Sequence, residues 1–230
     1  MTLFGVEVVR CADAEEVASV VADELAAAAR AGQAVVLTGG RTPGRAYQVA
    51  ADREPDWSEA SLWWGDERCV PPEDERSNYR LARENLLERL ETPPRRVRRI
   101  RGELGPDEAA REYDELLEGV RLDYVLLGLG PDGHAASLFP SEPTLEERER
   151  RAIPAEAKLE PLVARVTLTV PVLSAAPEVV FIVTGEDKAE AVERAFARPP
   201  DPATPASLIR SAQGRTRVVA DEPAAAQLGR

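Results

Sequence analysis

Short apolar runs, each followed by a longer segment of helical periodicity, recur along this chain and restrict it to one broad architecture. Ala34-Val35-Val36-Leu37 runs into Thr38-Gly39-Gly40, and Pro43 suits the first turn of a helix reaching Ala50. Ser61-Leu62-Trp63-Trp64 is a second run, and Leu122–Leu129 is a third and strongly apolar one. Further strands are expected over Val163–Val170 and Val179–Val183, with a last one at Arg217–Val219. Helices are expected over Asp13–Arg30, Ser77–Leu90, Pro106–Leu117 and Glu186–Ala197. In the first of these, Val17, Val20, Val21, Leu25 and Ala28 share one face, and Asp13 stands where an N-cap belongs. Strands alternating with helices build an α/β fold, a mostly parallel sheet flanked by helices. No repeat or linker interrupts the 230 residues, so one α/β domain over 1–230 is expected, with room for a minor lobe around 140–165. The proline-rich stretch Ala197–Ala206 reads as a loop.

Charge narrows the partners. The formal net charge is −12, which opposes nucleic acid and anionic membrane, since both reward clustered positive charge. An anionic small molecule would be held only where a few cations gather. Almost all the basic residues are arginines, Lys158 and Lys188 being the only lysines; a bias in genomic base composition is the simplest account. Hydrophobic residues at 43% and charged ones at 30% fit an ordered soluble chain. Cys11 and Cys69 are too few for a disulfide framework or a metal knot. Met1–Glu7 lacks the basic and long apolar regions of a signal peptide, and no apolar run approaches the roughly 20 residues of a membrane span. The cytoplasm is the default compartment. Oligomeric state is not legible here; monomer is the starting expectation.

Three stretches can carry chemistry. In Thr38-Gly39-Gly40-Arg41-Thr42-Pro43 a strand ends, the chain turns on two glycines and a helix begins. Backbone N–H groups and a helix dipole then converge on one point, as a phosphate requires, although a plain strand-to-helix turn uses the same residues. Gly65-Asp66-Glu67-Arg68 follows a strand, where α/β proteins gather their sites. Arg68 could hold an anion and Asp66 orient or accept a proton; a solvated loop with a surface ion pair reads equally well. Gly128-Leu129-Gly130-Pro131-Asp132-Gly133-His134 places the chain's sole histidine after an apolar strand. Imidazole titrates near neutrality and can take and return a proton, with Asp132 close enough to influence it, although single turn histidines are often structural. The same glycines match G-x-G-x-x-G, yet Pro131-Asp132 favours a turn over a dinucleotide-binding helix. Two cations join these. Arg165 lies in a strand where an inward charge needs an anionic partner, and Lys188 begins a helix after a strand. Either could instead lie on the surface with its aliphatic stem packed down.

Taken in order, these stretches resemble the 6-phosphogluconolactonase family. Its signatures stand here as Gly39–Pro43, Asp66-Glu67-Arg68 before Val70-Pro71, Ser77-Asn78-Tyr79, and Gly128–Pro140 with its Asp-Gly-His core. The resemblance spans nearly the whole chain. It implies a modified Rossmann-like sheet shared with glucosamine-6-phosphate deaminases and hydrolysis of a sugar-phosphate lactone in the oxidative pentose phosphate pathway. It further implies that the residue at His134 activates water without metal or cofactor, and then protonates the departing ring oxygen. Gly39, Gly40, Arg41, Thr42, Arg165 and Lys188 would cradle the phosphate, and Asp66 and Arg68 would line the sugar end. Deaminases of this fold carry a glutamate shortly after the histidine; here Ala135–Phe139 holds no acid, and none follows until Glu142. A non-catalytic sugar-phosphate sensor would need a DNA-binding module for which this acidic chain has little room.

Overall fold

Strands that are apolar on both faces can be buried only between layers of helices, and three of the runs become neighbours in one sheet for that reason. The computed structural model describes residues 1–158, 160 and 162–228. Its strands are β1 (Thr2–Leu3), β2 (Val6–Cys11), β3 (Ala34–Leu37), β4 (Ser61–Trp64), β5 (Asp66–Arg68), β6 (Arg96–Arg98), β7 (Tyr124–Leu127), β8 (Ala152–Ala155), β9 (Arg165–Leu168), β10 (Glu178–Val183) and β11 (Arg215–Asp221). Its helices are α1 (Ala14–Arg30), α2 (Arg41–Arg53), α3 (Asn78–Asn85), α4 (Pro106–Leu116), α5 (Val170–Ala175) and α6 (Ala189–Phe196). Eight strands form one sheet in the order β1-β2-β11-β10-β7-β3-β4-β6, parallel except for the β1–β2 pair. The α/β class read from the sequence is the observed one. The other strands, β5, β9 and β8, form a small antiparallel sheet in that order.

Helix α1 shows how the local sequence works. The Asp13 side chain accepts a hydrogen bond from Glu16 N at 2.9 Å and so caps the first turn. Val17, Val21 and Leu25 are buried against the sheet, while Val20 stays partly exposed. Each such buried side chain contributes about 1.5–3 kcal/mol.

Several boundaries differ from expectation. Helix α2 starts at Arg41, ahead of Pro43, because Gly40 at φ +116° turns the chain and a proline is tolerated within a first turn. The expected strand over 163–170 is only β9, and Val170 already opens α5 with Pro171 in its first turn. The helix expected over 77–90 ends at Asn85, and a 3₁₀ turn covers Leu87–Arg89. A 3₁₀ turn, Glu186–Lys188, likewise precedes α6. Strands β1, β2, β6 and β8 were not anticipated, and β5 read as a charged loop. Strands β2, β5 and β6 acquire strand form from partners well removed in the chain, β11, β9 and β4, whereas β1 and β8 are short strands added beside their near neighbours β2 and β9. Among the described residues no helix is long and apolar enough to cross a membrane.

Candidate active site

Adjacent parallel strands β10, β7, β3 and β4 end at one edge of the main sheet, and the loops that follow them surround one cleft. It measures about 400 Å³ and is lined by Thr38, Gly39, Gly40, Asp66, Arg68, Asn78, Gly128–Pro131, His134, Ala136, Glu160, Arg165 and Lys188. A cleft at the carboxyl edge of a parallel sheet is where helix N-termini and free N–H groups converge.

His134 follows β7 on a turn built to seat its ring. Its Nδ1 lies 2.6 Å from Asp132 Oδ1, and its backbone N–H donates to the same oxygen at 3.1 Å. Burial opposes ionisation of Asp132, yet the hydrogen bonds from His134 outweigh it and hold the carboxyl below its ordinary value. An ionised carboxylate can only accept, so in the neutral imidazole Nδ1 carries the ring proton and the basic lone pair is on Nε2. Gly130 makes room for this pair: a Cβ there would stand 2.0 Å from His134 Nδ1 and 2.7 Å from Asp132 Oδ1. The imidazole also packs on Phe139, with ring centroids 4.8 Å apart.

Asp66 and Glu67 face opposite duties on β5. Buried Asp66 accepts from Ser137 Oγ at 2.6 Å and from Asn78 Nδ2 at 3.1 Å, joining β5, α3 and the turn after His134. Glu67 is buried beside the start of α3. Its carboxylate accepts from Asn78 N (2.8 Å), Tyr79 N (2.7 Å), Arg68 N (2.6 Å) and Ser77 Oγ (2.9 Å). Burial pushes the Glu67 pKa up, and these donors pull against it. The spacing of Asp-Glu-Arg and Ser-Asn-Tyr therefore has a physical meaning: the acid of the first caps the helix that the second begins.

Cations line the same cleft. Antiparallel pairing sets Arg68 directly opposite Arg165. Like charges so placed repel unless an anion lies between them. Burial lowers the pKa of the Arg165 guanidinium; the Asp66 charge opposes that shift and the Arg68 charge adds to it. The Arg165 guanidinium also stands 5.6 Å from the Phe139 ring centre, on which His134 packs. Arg68 Nη1 donates to the Arg76 carbonyl, which orients the guanidinium. Lys188 reaches the cleft from the 3₁₀ turn before α6, with Nζ 3.6 Å from Asp187 Oδ2.

The glycine turn is only partly as expected. Gly39 and Gly40 line the cleft, and among the described residues neither N–H donates to a protein acceptor. Arg41 and Thr42 do not line it. Since α2 begins at Arg41, that side chain is exposed, and the Thr42 hydroxyl instead bonds the Thr184 hydroxyl at 2.7 Å. Asp132 also lies outside the lining and acts behind His134. Asn78 lines the cleft and was not singled out from the sequence, although the Ser77-Asn78-Tyr79 signature contained it. Gly39 is required by Asn78, because a Cβ at Gly39 would lie 2.0 Å from Asn78 Oδ1. Gly39→Ala is accordingly expected to raise KM about tenfold or more by displacing Asn78 and opening the turn, as steady-state kinetics would show. Among the described residues no group of three or more His, Cys, Asp or Glu side chains is placed to hold a metal ion.

A family model described as glucosamine-6-phosphate isomerases/6-phosphogluconolactonase matches residues 12–218. The chain belongs to this family. Among its relatives, the 6-phosphogluconolactonase of Streptomyces coelicolor is 37% identical over 225 residues, covering 89% of this chain and 85% of the relative. The crystal structure of 6-phosphogluconolactonase from Leishmania guyanensis superposes with a TM-score of 0.88 at 25% identity, over 99% of this chain and 100% of the other. A monomeric glucosamine-6-phosphate deaminase superposes with a TM-score of 0.85 at 19% identity, over 96% and 99% of the two chains. That last likeness is one of fold alone, so the function within the family has to be argued from the site.

Proposed function

We propose that this chain hydrolyses 6-phospho-D-glucono-1,5-lactone to 6-phosphogluconate, a step of the oxidative pentose phosphate pathway. The observation that carries the reading is the His134–Asp132 pair opening on a cleft shared with Arg68, Arg165, Lys188 and the Gly39–Gly40 turn. Asp132 holds the Nδ1 proton, so Nε2 takes one from water as the oxygen adds to the lactone carbonyl carbon. Arg68 stands to stabilise the oxyanion that forms. As the tetrahedral intermediate collapses, the bond to the ring oxygen breaks and the Nε2 proton passes to that oxygen. Asp66 holds Ser137 and Asn78 in register at the sugar end. Arg165, Lys188 and the glycine amides receive the phosphate, which fixes the carbonyl near His134. None of these steps calls for a metal or an organic cofactor.

The family resemblance to named lactonases and the lack of an acid over Ala135–Phe139 both favour hydrolysis over deamination. The deciding experiment follows acid release from freshly prepared lactone above the spontaneous rate, with ammonia release from glucosamine-6-phosphate measured in parallel. Rapid lactone opening without ammonia is expected. No acceleration of lactone opening would overturn the proposal. Arg165→Ala and Lys188→Ala are each expected to raise KM about 10- to 100-fold with a smaller change in kcat, as loss of one charge-assisted hydrogen bond implies.

A further inference from the structure

Tyr47 is fully buried and takes no part in lining the cleft, yet its hydroxyl is spent wholly on one residue of the glycine turn. It accepts from Thr38 N at 2.9 Å and donates to Thr38 O at 2.7 Å. Thr38 lies just past the last paired residue of β3, where Leu37 stands opposite Trp64, so the sheet no longer holds it. Tyr47 belongs to α2, the helix that begins after the turn. The bond pair therefore closes a loop: strand end, Gly39-Gly40, helix start, and back through the phenol to the strand end.

That closure falls where the chain is least constrained by its own residues. Gly39 must lack a Cβ because of Asn78, and Gly40 sits at φ +116°, so neither limits its own backbone freedom. A turn that donates unpaired N–H groups to an anion loses affinity if it must first be ordered. We propose that Tyr47 is a positioning residue for phosphate binding, clamping Thr38 so that the Gly39 and Gly40 amides are held ready for the substrate's phosphate. The inference rests on the reading of this turn as part of the phosphate cradle. Tyr47 touches no substrate atom.

The fold supplies a matched control. Tyr113, on α4 and equally buried, makes the same pair of bonds to Trp64: it accepts from Trp64 N at 2.8 Å and donates to Trp64 O at 3.1 Å. Trp64 ends β4 opposite Leu37, and the chain it holds runs on into Gly65-Asp66 rather than into the glycine turn. Phenylalanine at either position deletes the hydroxyl, keeps the ring and strands two backbone groups. Both variants should lose similar stability, while only one should affect phosphate recognition.

The test compares kcat/KM for 6-phosphogluconolactone with that for unphosphorylated glucono-1,5-lactone, in wild type, Tyr47→Phe and Tyr113→Phe. Wild type should strongly prefer the phosphorylated lactone. Tyr47→Phe should reduce that preference about tenfold, through KM, and weaken competitive inhibition by inorganic phosphate by the same factor. Tyr113→Phe should melt at a similarly lowered temperature and retain the wild-type preference. An unchanged preference in Tyr47→Phe, or an equal loss in both variants, overturns the clamp while leaving lactone hydrolysis intact. No preference for phosphate in wild type would overturn the reading of the turn itself, and the clamp with it. Hydrogen exchange in the wild-type protein gives a reading that needs no variant. The Thr38 amide should be protected to the level of β3, and rapid exchange there would overturn the clamp.

Discussion

Replacing His134 by glutamine is expected to lower kcat for lactone hydrolysis by about 10²- to 10⁴-fold, the share that a placed general base supplies. Glutamine preserves bulk and can still donate to Asp132, but its amide has no basic lone pair to take the water proton. The substrate's phosphate is held by Arg165, Lys188 and the glycine turn in the proposed mechanism, so KM should change little. The fold should survive, since the imidazole is partly exposed and glutamine keeps bulk against Phe139. A thermal melt beside an initial-rate assay separates these effects. Wild-type turnover in a folded His134→Gln protein would remove His134 from the chemistry. Loss of rate together with loss of folding would instead assign it a packing role.

The second large effect is on stability. Glu67→Ala should cost at least about 3 kcal/mol, because each buried donor left without an acceptor costs about 1–3 kcal/mol. Three backbone N–H groups and the Ser77 hydroxyl converge on this carboxylate. Alanine would strand all of them and leave a void. Glu67→Gln keeps one accepting oxygen but turns an N–H donor toward other donors, so its loss should be smaller and still clear. Denaturant unfolding at constant m value reads both. The folded fraction of either variant should also lose kcat/KM, since Asp66 and Arg68 flank Glu67 on β5 and Asn78 opens the helix it caps. A midpoint within error of wild type for Glu67→Ala would show that the carboxylate holds nothing in place.

The main sheet was legible because its signal is local. Ala34–Leu37, Ser61–Trp64 and the core of Leu122–Leu129 are apolar apart from Ser61 and are buried at every position, and only a doubly covered parallel strand tolerates that. Helix α1 was legible for a similar reason, with an N-cap and a periodic face contained in one short window. His134 stood out because it is the chain's sole imidazole and follows such a strand. Strand β5 was not legible. Asp66-Glu67-Arg68 carries three charges in succession, and its strand character comes from pairing with β9, which lies far along the chain. The same pairing brings Arg68 and Arg165 face to face, a relation that no sequence pattern contains.

What the sequence determined by itself was the layering of the fold and the identity of the groups available for chemistry. It contained one histidine, two glycine-rich turns and an excess of acids over bases, because periodicity and residue type are properties of the segment in which they occur. The tertiary structure decided which of those groups meet. It set Asp132 against His134 Nδ1, gave Glu67 to the start of α3, and left Arg41 outside the cleft. It also turned Tyr47 and Tyr113 from ordinary core aromatics into clamps on two strand ends. These outcomes depend on register, on where each helix begins and on the space that a missing Cβ leaves free. All three are settled only when the layers pack, because the energy of a buried hydrogen bond or a close contact changes over distances far smaller than any sequence pattern specifies.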